Sequence, residues 1–341
     1  QMFFKKVACF TDIHFGMKGN SRVHNDDCEA FVYWFIEQAK LHGCETCIFL
    51  GDWHHHRSAT NVSTMNYTVS NMERLGKAFE KVYVMMGNHD LFYREKREIN
   101  SMEFIRNIPN VHIVNEWIVE EDVAIIPWVV EDEWKRIEKM QQKYVFGHFE
   151  LPYFKMNAMV EMPDVGGIKT EHFANCGMVF SGHFHKRQQM KNVTYMGNAF
   201  PHNYADAWDD DRGMMILEHG GQPTYINWPD MPRYITIKIS ELLQDPEKYL
   251  KPKMYVRVTL DIKISYEEAN FVRETFIDKY KLRELQLIPE QIEQAQQPTV
   301  DVQKFDSVDQ IVIKQLQGVD SETYDKNVLT AIYNDLDVTS Q

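Results

Sequence analysis

Val7-Ala8-Cys9-Phe10-Thr11-Asp12-Ile13-His14 sets the pattern on which the architecture of this chain is built. An apolar, β-prone run stops abruptly in residues able to hold a metal, and the design recurs along the chain. It returns in Thr46–His54 (TCIFLGDWH), Val82–Asp90 (VYVMMGNHD), Tyr144–Glu150 (YVFGHFE) and Met178–His185 (MVFSGHFH), with Val123–Trp128 (VAIIPW) as a sixth apolar run. Helical patterns lie between them. Cys28–His42 is closed by Gly43, and Ser63–Phe79 carries Met65, Val69, Met72 and Leu75 on one face. Strands alternating with helices predict an α/β sheet. Ligands gather at the carboxyl ends of such strands, so the polar tips are expected to converge.

In chain order the tips supply Asp12 and His14, Asp52, Asn88 with His89, His148, and His183 with His185. Hard dications prefer oxygen and borderline ones accept imidazole, so this mixed set suits manganese or iron and, less exclusively, zinc. Asp52, alone on the central tip, is the natural bridge between two ions. Alternation along a strand would place Asp12 with His14, and His183 with His185, on a common side. The glycines before Asp52, Asn88, His148 and His183 would let the backbone approach the ions closely. One G-H or D-x-H alone is more often an ordinary strand end. All five in order, each closing an apolar run, are not.

Composition bounds the rest. A chain of 341 residues with 44% hydrophobic residues has room for a large domain and smaller modules. No apolar run is long enough to span a membrane and no signal peptide is recognisable, so a cytoplasmic protein is expected, with Met2 as the natural start. Five cysteines, Cys44 and Cys47 among them, fit a reducing compartment and buried structural thiols better than a disulfide framework. A formal net charge of -13 argues against binding nucleic acid by overall attraction, while bound cations and local basic patches could still supply the positive field.

The D-x-H, G-D, G-N-H-D, G-H, G-H-x-H series resembles the calcineurin-like metallophosphoesterase superfamily. The whole chain is similar to SbcD-type nuclease subunits of double-strand-break repair complexes, including the recombination endonuclease subunits of T-even-type phages. The narrower likeness rests on Tyr195–Gly197 with the Pro201 turn, on Asp211–Gly213, and on the C-terminal layout. It implies a β-sandwich flanked by helices, a small α+β capping domain and a C-terminal helical tail. The corresponding boundaries are 2–240 for the nuclease domain, 241–288 for the DNA-binding cap, 289–304 for a linker and 305–341 for the tail. It also implies two divalent ions, manganese first and Mg2+, Fe2+ or Zn2+ as substitutes. Asp12, His14, Asp52 and His185 would hold one, and Asp52, Asn88, His148 and His183 the other. Hydroxide made between the ions would attack phosphorus in line. His89 would assist the leaving oxygen, and His55, three residues after Asp52, would lie near the phosphate. Asp90 has an orienting role or a turn role.

The implied activity is DNA exo- or endonuclease action for recombination, repair and replication. A protein phosphatase is disfavoured, because Trp53–His56 lacks that family's V-D-R-G-type segment. A small-molecule or cyclic-nucleotide phosphodiesterase shares the metal site, and a metal-free scaffold would have lost ligands that are all present. DNA is favoured by Lys251, Lys253, Arg257, Lys263, Arg273, Lys279, Lys281 and Arg283 around a strand–helix–strand unit over 254–288, although Glu267, Glu268, Glu274 and Asp278 are interleaved. Similar nucleases pair through helices after the second and third motifs. Here that would use the Met65–Leu75 stripe with Met102, Phe104 and Ile105. The tail, with apolar faces at Ile311, Val312 and Leu316 and at Tyr324, Val328, Ile332 and Leu336, would dock on an SbcC-type, SMC-like ATPase.

Overall fold

Successive residues of the first strand face different cores. In β1 (Lys6–Phe10), Val7 and Cys9 belong to one apolar cluster and Ala8 and Phe10 to another. A strand buried on both faces must be apolar throughout, which is why these segments read as runs and not as alternations. The computed structural model describes residues 2–290. They form two compact units that divide between Pro232 and Arg233.

Along the first unit, β1 leads to α1 (Arg22–Leu41), β2 (Thr46–Phe49), α2 (Val62–Ala78), β3 (Lys81–Met85) and β4 (Val111–Val114). Then come β5 (Ile118–Val119), β6 (Val123–Ile126), β7 (Tyr144–His148), β8 (Met178–Gly182), β9 (Gln188–Met190), β10 (Val193–Tyr195), β11 (Gly213–Glu218) and β12 (Thr224–Asn227). They make two six-stranded sheets, ordered β12-β11-β1-β2-β3-β4 and β5-β6-β7-β8-β10-β9. Val7, Ile48, Met85, Val123, Phe146, Phe180 and Met215 fill the layer between the sheets. Outside the first sheet, Phe10, Phe49 and Val84 pack on Phe31 and Phe35 of α1 and on Met72 and Leu75 of α2. Outside the second, Val145, Val179 and Tyr195 pack on Phe149, Phe154 and Phe173. The expected sandwich flanked by helices is the observed architecture. Because β1, β2 and β3 run parallel, as do β6, β7 and β8, the tips of each set leave at a common end.

α1 begins at Arg22, before the expected Cys28, with Ser21 accepting from the His24 amide as its cap. Its early turns hide from apolar periodicity because they bury His24, Asn25 and Asp27. Two of those side chains hold the first metal-competent loop: Asn25 Oδ1 accepts from Gly16 N at 2.8 Å, and His24 Nε2 donates to the His14 carbonyl at 2.9 Å. All five cysteines are buried free thiols, as expected. The dimer stripe fares differently. Met72, Leu75, Met102 and Ile105 lie in the chain's own core, leaving Met65 and Phe104 exposed, so the stripe gives no ground for a homodimer.

The second unit starts at Arg233, not at residue 241. β13 (Arg233–Lys238) pairs with β14 (Met254–Leu260), which pairs with β15 (Glu284–Pro289), all parallel. The segment 233–238 therefore belongs to this sheet and not to the first unit. Proline punctuation on both sides hid that pairing, which depends on residues far along the chain. α3 (Ile239–Gln244) and α4 (Tyr266–Tyr280) accompany the sheet, with Ile235, Ile237, Val256, Val258 and Leu285 in its core. The expected Ser265–Glu268 capping box is present. Several basic residues are engaged within the unit: Arg273 Nε donates to the Leu285 carbonyl, while Lys279 and Lys281 pair with Glu247 and Asp278. Among the described residues no helix is long and apolar enough to cross a membrane. Nearly all of the linker 289–304 and the whole helical tail 305–341 lie outside the described residues.

Candidate metal centre

The first two strand tips continue to pair after the strands end. Asp12 N donates to the Gly51 carbonyl, His14 N to that of Asp52 and Phe15 N to that of Trp53. Asp12, His14 and Asp52 take left-handed backbone, with φ of 51°, 54° and 63°, and His183 has φ 99°. Such angles are uncommon outside glycine and persist only where surrounding structure enforces them. Strand alternation is therefore not what aligns Asp12 with His14, or His183 with His185, since β1 ends at Phe10 and β8 at Gly182. Left-handed turns do it. Gly51, at φ 96°, needs its missing side chain, and a Cβ at Gly87 would collide with the Asp52 carboxylate.

These turns gather two donor clusters. In the first, Asp12 Oδ1 lies 3.7 Å from His14 Nε2 and 3.6 Å from His185 Nε2. Asp12 Oδ1 and His14 Nε2 are buried without a hydrogen-bond partner. The other Asp12 oxygen is occupied, accepting from Thr11 Oγ1 and from His183 N. In the second cluster, Asn88 Oδ1 lies 3.0 Å from His148 Nε2 and 3.2 Å from His183 Nδ1. His148 Nδ1 donates to the Leu50 carbonyl at 2.6 Å, so in the neutral ring Nε2 is the lone-pair nitrogen. Asp52 Oδ2 stands between the clusters, 3.7 Å from His14 Nε2 and 3.4 Å from His148 Nε2.

Asp12 Oδ1 and His14 Nε2, buried, unpartnered and converging, suit a shared cation. Asn88 makes the same point. With its amide turned round, the nitrogen would donate to Asp52 Oδ2 at 3.2 Å and to His148 Nε2 at 3.0 Å, and the oxygen would accept from Arg57 at 3.2 Å. Without an ion that orientation satisfies more groups; the oxygen-inward one suits a cation. Ligand atoms of Asp12, His14 and His185 lie within 4.8 Å of one another, as do those of Asp52, His148 and His183, and those of His14, His55 and His89.

The carboxylates set the protonation of the imidazoles beside them. Burial pulls His148 down, but Asp52 and Asp12 outweigh it and raise the imidazole to about 9. Burial opposes ionisation of Asp52, yet His148 and His14 hold it well below the usual carboxylate range. His55 is lowered to about 3 by burial and then by neighbouring His14 and His89, so it is neutral.

His89 and His55 stack beside the first cluster, with ring centroids 5.3 Å apart and planes 15° off parallel. His89 N donates to Asp52 Oδ1, and its Nδ1 donates to the His55 carbonyl at 2.7 Å. His55 Nδ1 lies 3.2 Å from His14 Nδ1. With a cation held at His14 Nε2, His14 Nδ1 would carry the proton and His55 Nδ1 would accept it. His54 points elsewhere, bonded to Ser101 and Thr68. Asp90 orients backbone and not the His89 ring: it accepts from Asp52 N, His54 N and Gly87 N.

Four neighbours escaped the sequence reading. Glu150 Oε1 lies 3.2 Å from His183 Nε2. Arg57 approaches Asn88, and Arg212 Nη1 donates to the His185 carbonyl at 2.6 Å. His202 is buried with its ring 5.5 Å from His14 and 5.6 Å from His185. Glu150 carried one signal, its place two residues beyond His148, and Arg212 lay inside a noted motif. Nothing local marked His202.

The model of the Calcineurin-like phosphoesterase family matches residues 5–187. The chain is 26% identical over 222 residues to "Exonuclease subunit 1" of Enterobacteria phage T4, covering 62% of this chain and 64% of that protein's length. A solved structure, the nuclease MPE of Pseudomonas putida, is 20% identical with a TM-score of 0.29, over 53% of this chain and 62% of that one.

Proposed function

Since this chain belongs to the calcineurin-like phosphoesterase family, we propose that it is a metal-dependent nuclease that hydrolyses the phosphodiester backbone of DNA. The observation that carries the reading is Asp52 Oδ2, within 3.7 Å of one donor cluster and 3.4 Å of the other. Asp12, His14, Asp52 and His185 would hold one divalent cation, and Asp52, Asn88, His148 and His183 the second. Bound there, manganese, or magnesium, iron or zinc in its place, supplies Lewis-acid polarisation of the phosphoryl group and acidifies water.

The histidines do the rest. With Nδ1 committed to the His55 carbonyl, His89 has Nε2 left to carry a proton to the leaving oxygen, which requires its imidazolium form. With His14 Nε2 given to a cation, His14 Nδ1 would donate to His55 Nδ1 and leave the His55 Nε2–H as a neutral donor for a phosphoryl oxygen. Trp128 packs 5.2 Å from His183 and closes that side of the cluster. DNA is preferred as substrate because the phage T4 relative is named an exonuclease subunit. The word subunit also supports a partner chain, which we take to be an SbcC-type, SMC-like ATPase docked by residues 305–341.

The test is manganese-dependent hydrolysis of linear duplex DNA, single strands, cyclic nucleotides and a bis-aryl phosphodiester under one set of conditions. DNA is expected to give the highest kcat/KM. A cyclic nucleotide turned over more efficiently would replace the nuclease with a small-molecule phosphodiesterase. Truncation after Gln297 is expected to spare cleavage of short single strands and abolish ATPase binding. Full binding by the truncated chain would place the interface elsewhere.

A further inference from the structure

His183 has two ring nitrogens with different neighbours. Nδ1 lies 3.2 Å from Asn88 Oδ1, inside the second donor cluster, and Nε2 lies 3.2 Å from Glu150 Oε1. A carboxylate oxygen accepts, so at this distance Nε2 carries the ring proton while Nδ1 keeps the lone pair. A histidine that ligates a cation needs that tautomer fixed by whatever its other nitrogen meets. His148 obtains the opposite tautomer from the Leu50 carbonyl. The two histidines of one cluster thus present different nitrogens, set by different partners.

Glu150 is itself steadied from the far side. Arg94 Nη2 lies 3.7 Å from the same Oε1, and the Arg94 guanidinium stands 5.8 Å over the Trp128 ring that packs on His183. Glu150 follows His148 by two residues, so the end of β7 supplies a donor directly and orients another from β8.

We propose that Glu150 is the positioning residue of the second cation site: it accepts the Nε2 proton of His183 and so turns the Nδ1 lone pair toward Asp52, Asn88 and His148. This rests on the reading of that cluster as a cation site. Arg94 supports the carboxylate without being required for the tautomer.

The test is manganese binding by the full chain, followed by calorimetry and by electron paramagnetic resonance, for wild type, Glu150→Leu, Glu150→Gln and Arg94→Ala. Glu150→Leu is expected to weaken the second manganese by about 10–100-fold and leave the first unchanged. The resonance of an exchange-coupled pair should give way to that of an isolated ion. Glu150→Gln is expected to restore most of the affinity, because its carbonyl accepts the same proton, and Arg94→Ala to stay near wild type. Retention of both ions by Glu150→Leu would overturn the proposal. So would Glu150→Gln as damaging as Glu150→Leu, or Arg94→Ala matching both, since the ion pair with Arg94 would then be what matters. Independently of folding in the variants, nitrogen-resolved NMR of the zinc-loaded wild type is expected to find the His183 proton on Nε2, and a proton on Nδ1 would refute the assignment. Wild type that binds no second manganese would overturn the cation-site reading together with this proposal. Wild type that binds two ions and cuts no DNA would overturn the substrate alone.

Discussion

The first donor cluster is oriented by backbone and the second by side-chain hydrogen bonds. Asp12 and His14 sit on left-handed turns pinned by the Gly51 and Asp52 carbonyls, and His185 is steadied through its own carbonyl by Arg212. In the second cluster, His148 and His183 are aimed through their ring nitrogens, by Leu50 and Glu150. The difference predicts different failures. A change around the first cluster disturbs the fold that carries it, whereas a change around the second acts on affinity for one ion.

Asp52 joins the two, so Asp52→Ala is the largest expected effect: both cations and all hydrolysis are lost together, as read by metal analysis and by turnover. Two ions retained in that variant would erase the distinction between a shared and an unshared carboxylate. Next is His89→Ala, which removes proton donation and no ligand. Hydrolysis is expected to fall by about 10²–10⁴-fold with both ions still bound. Loss of metal there would assign His89 to the first cluster.

Arg212→Ala sharpens the contrast. Its guanidinium is buried against Asp206 at 3.1 Å, and removing one member of a buried pair destabilises by about 3–5 kcal/mol. Thermal unfolding should shift down and the first ion weaken while the second holds. Equal weakening of both would show that the clusters are not separately supported. The smallest effect is one proton. His148, raised to about 9 from an ordinary 6.5, is protonated at pH 7.5 in the cation-free chain and must be neutral to bind metal. The raised value means that this proton stabilises the cation-free fold fully below pH 6.5, a contribution lost as pH rises through about 9. Calorimetry in buffers of different ionisation enthalpy should find a proton released at pH 7.5 and a release that fades as pH rises through about 9. No release at pH 7.5 would leave His148 outside the ligand set.

Much of this was legible before folding. The runs ending in Asp12, Asp52, Asn88, His148 and His183 became strands in two sheets, because a strand buried on both faces is apolar throughout and must stop where its polar tip begins. The start of α1 was not legible, since the residues that tie it to the site, His24 and Asn25, are polar. Nor was the pairing of 233–238 with 254–260, which joins strands with a helix between them.

The sequence by itself determined which residue types end which strands, and so the chemistry the tips can perform. Tertiary structure alone decided their aim. Left-handed turns, and not strand alternation, bring Asp12 to His14, and Asp52 Oδ2 falls between His14 and His148 only when two sheets meet. Likewise Glu150 fixes His183 across 33 residues of chain. The physical reason is that burial repeats along a strand with a period that can be read, whereas the direction of a side chain past the strand end depends on hydrogen-bond partners that no local period encodes.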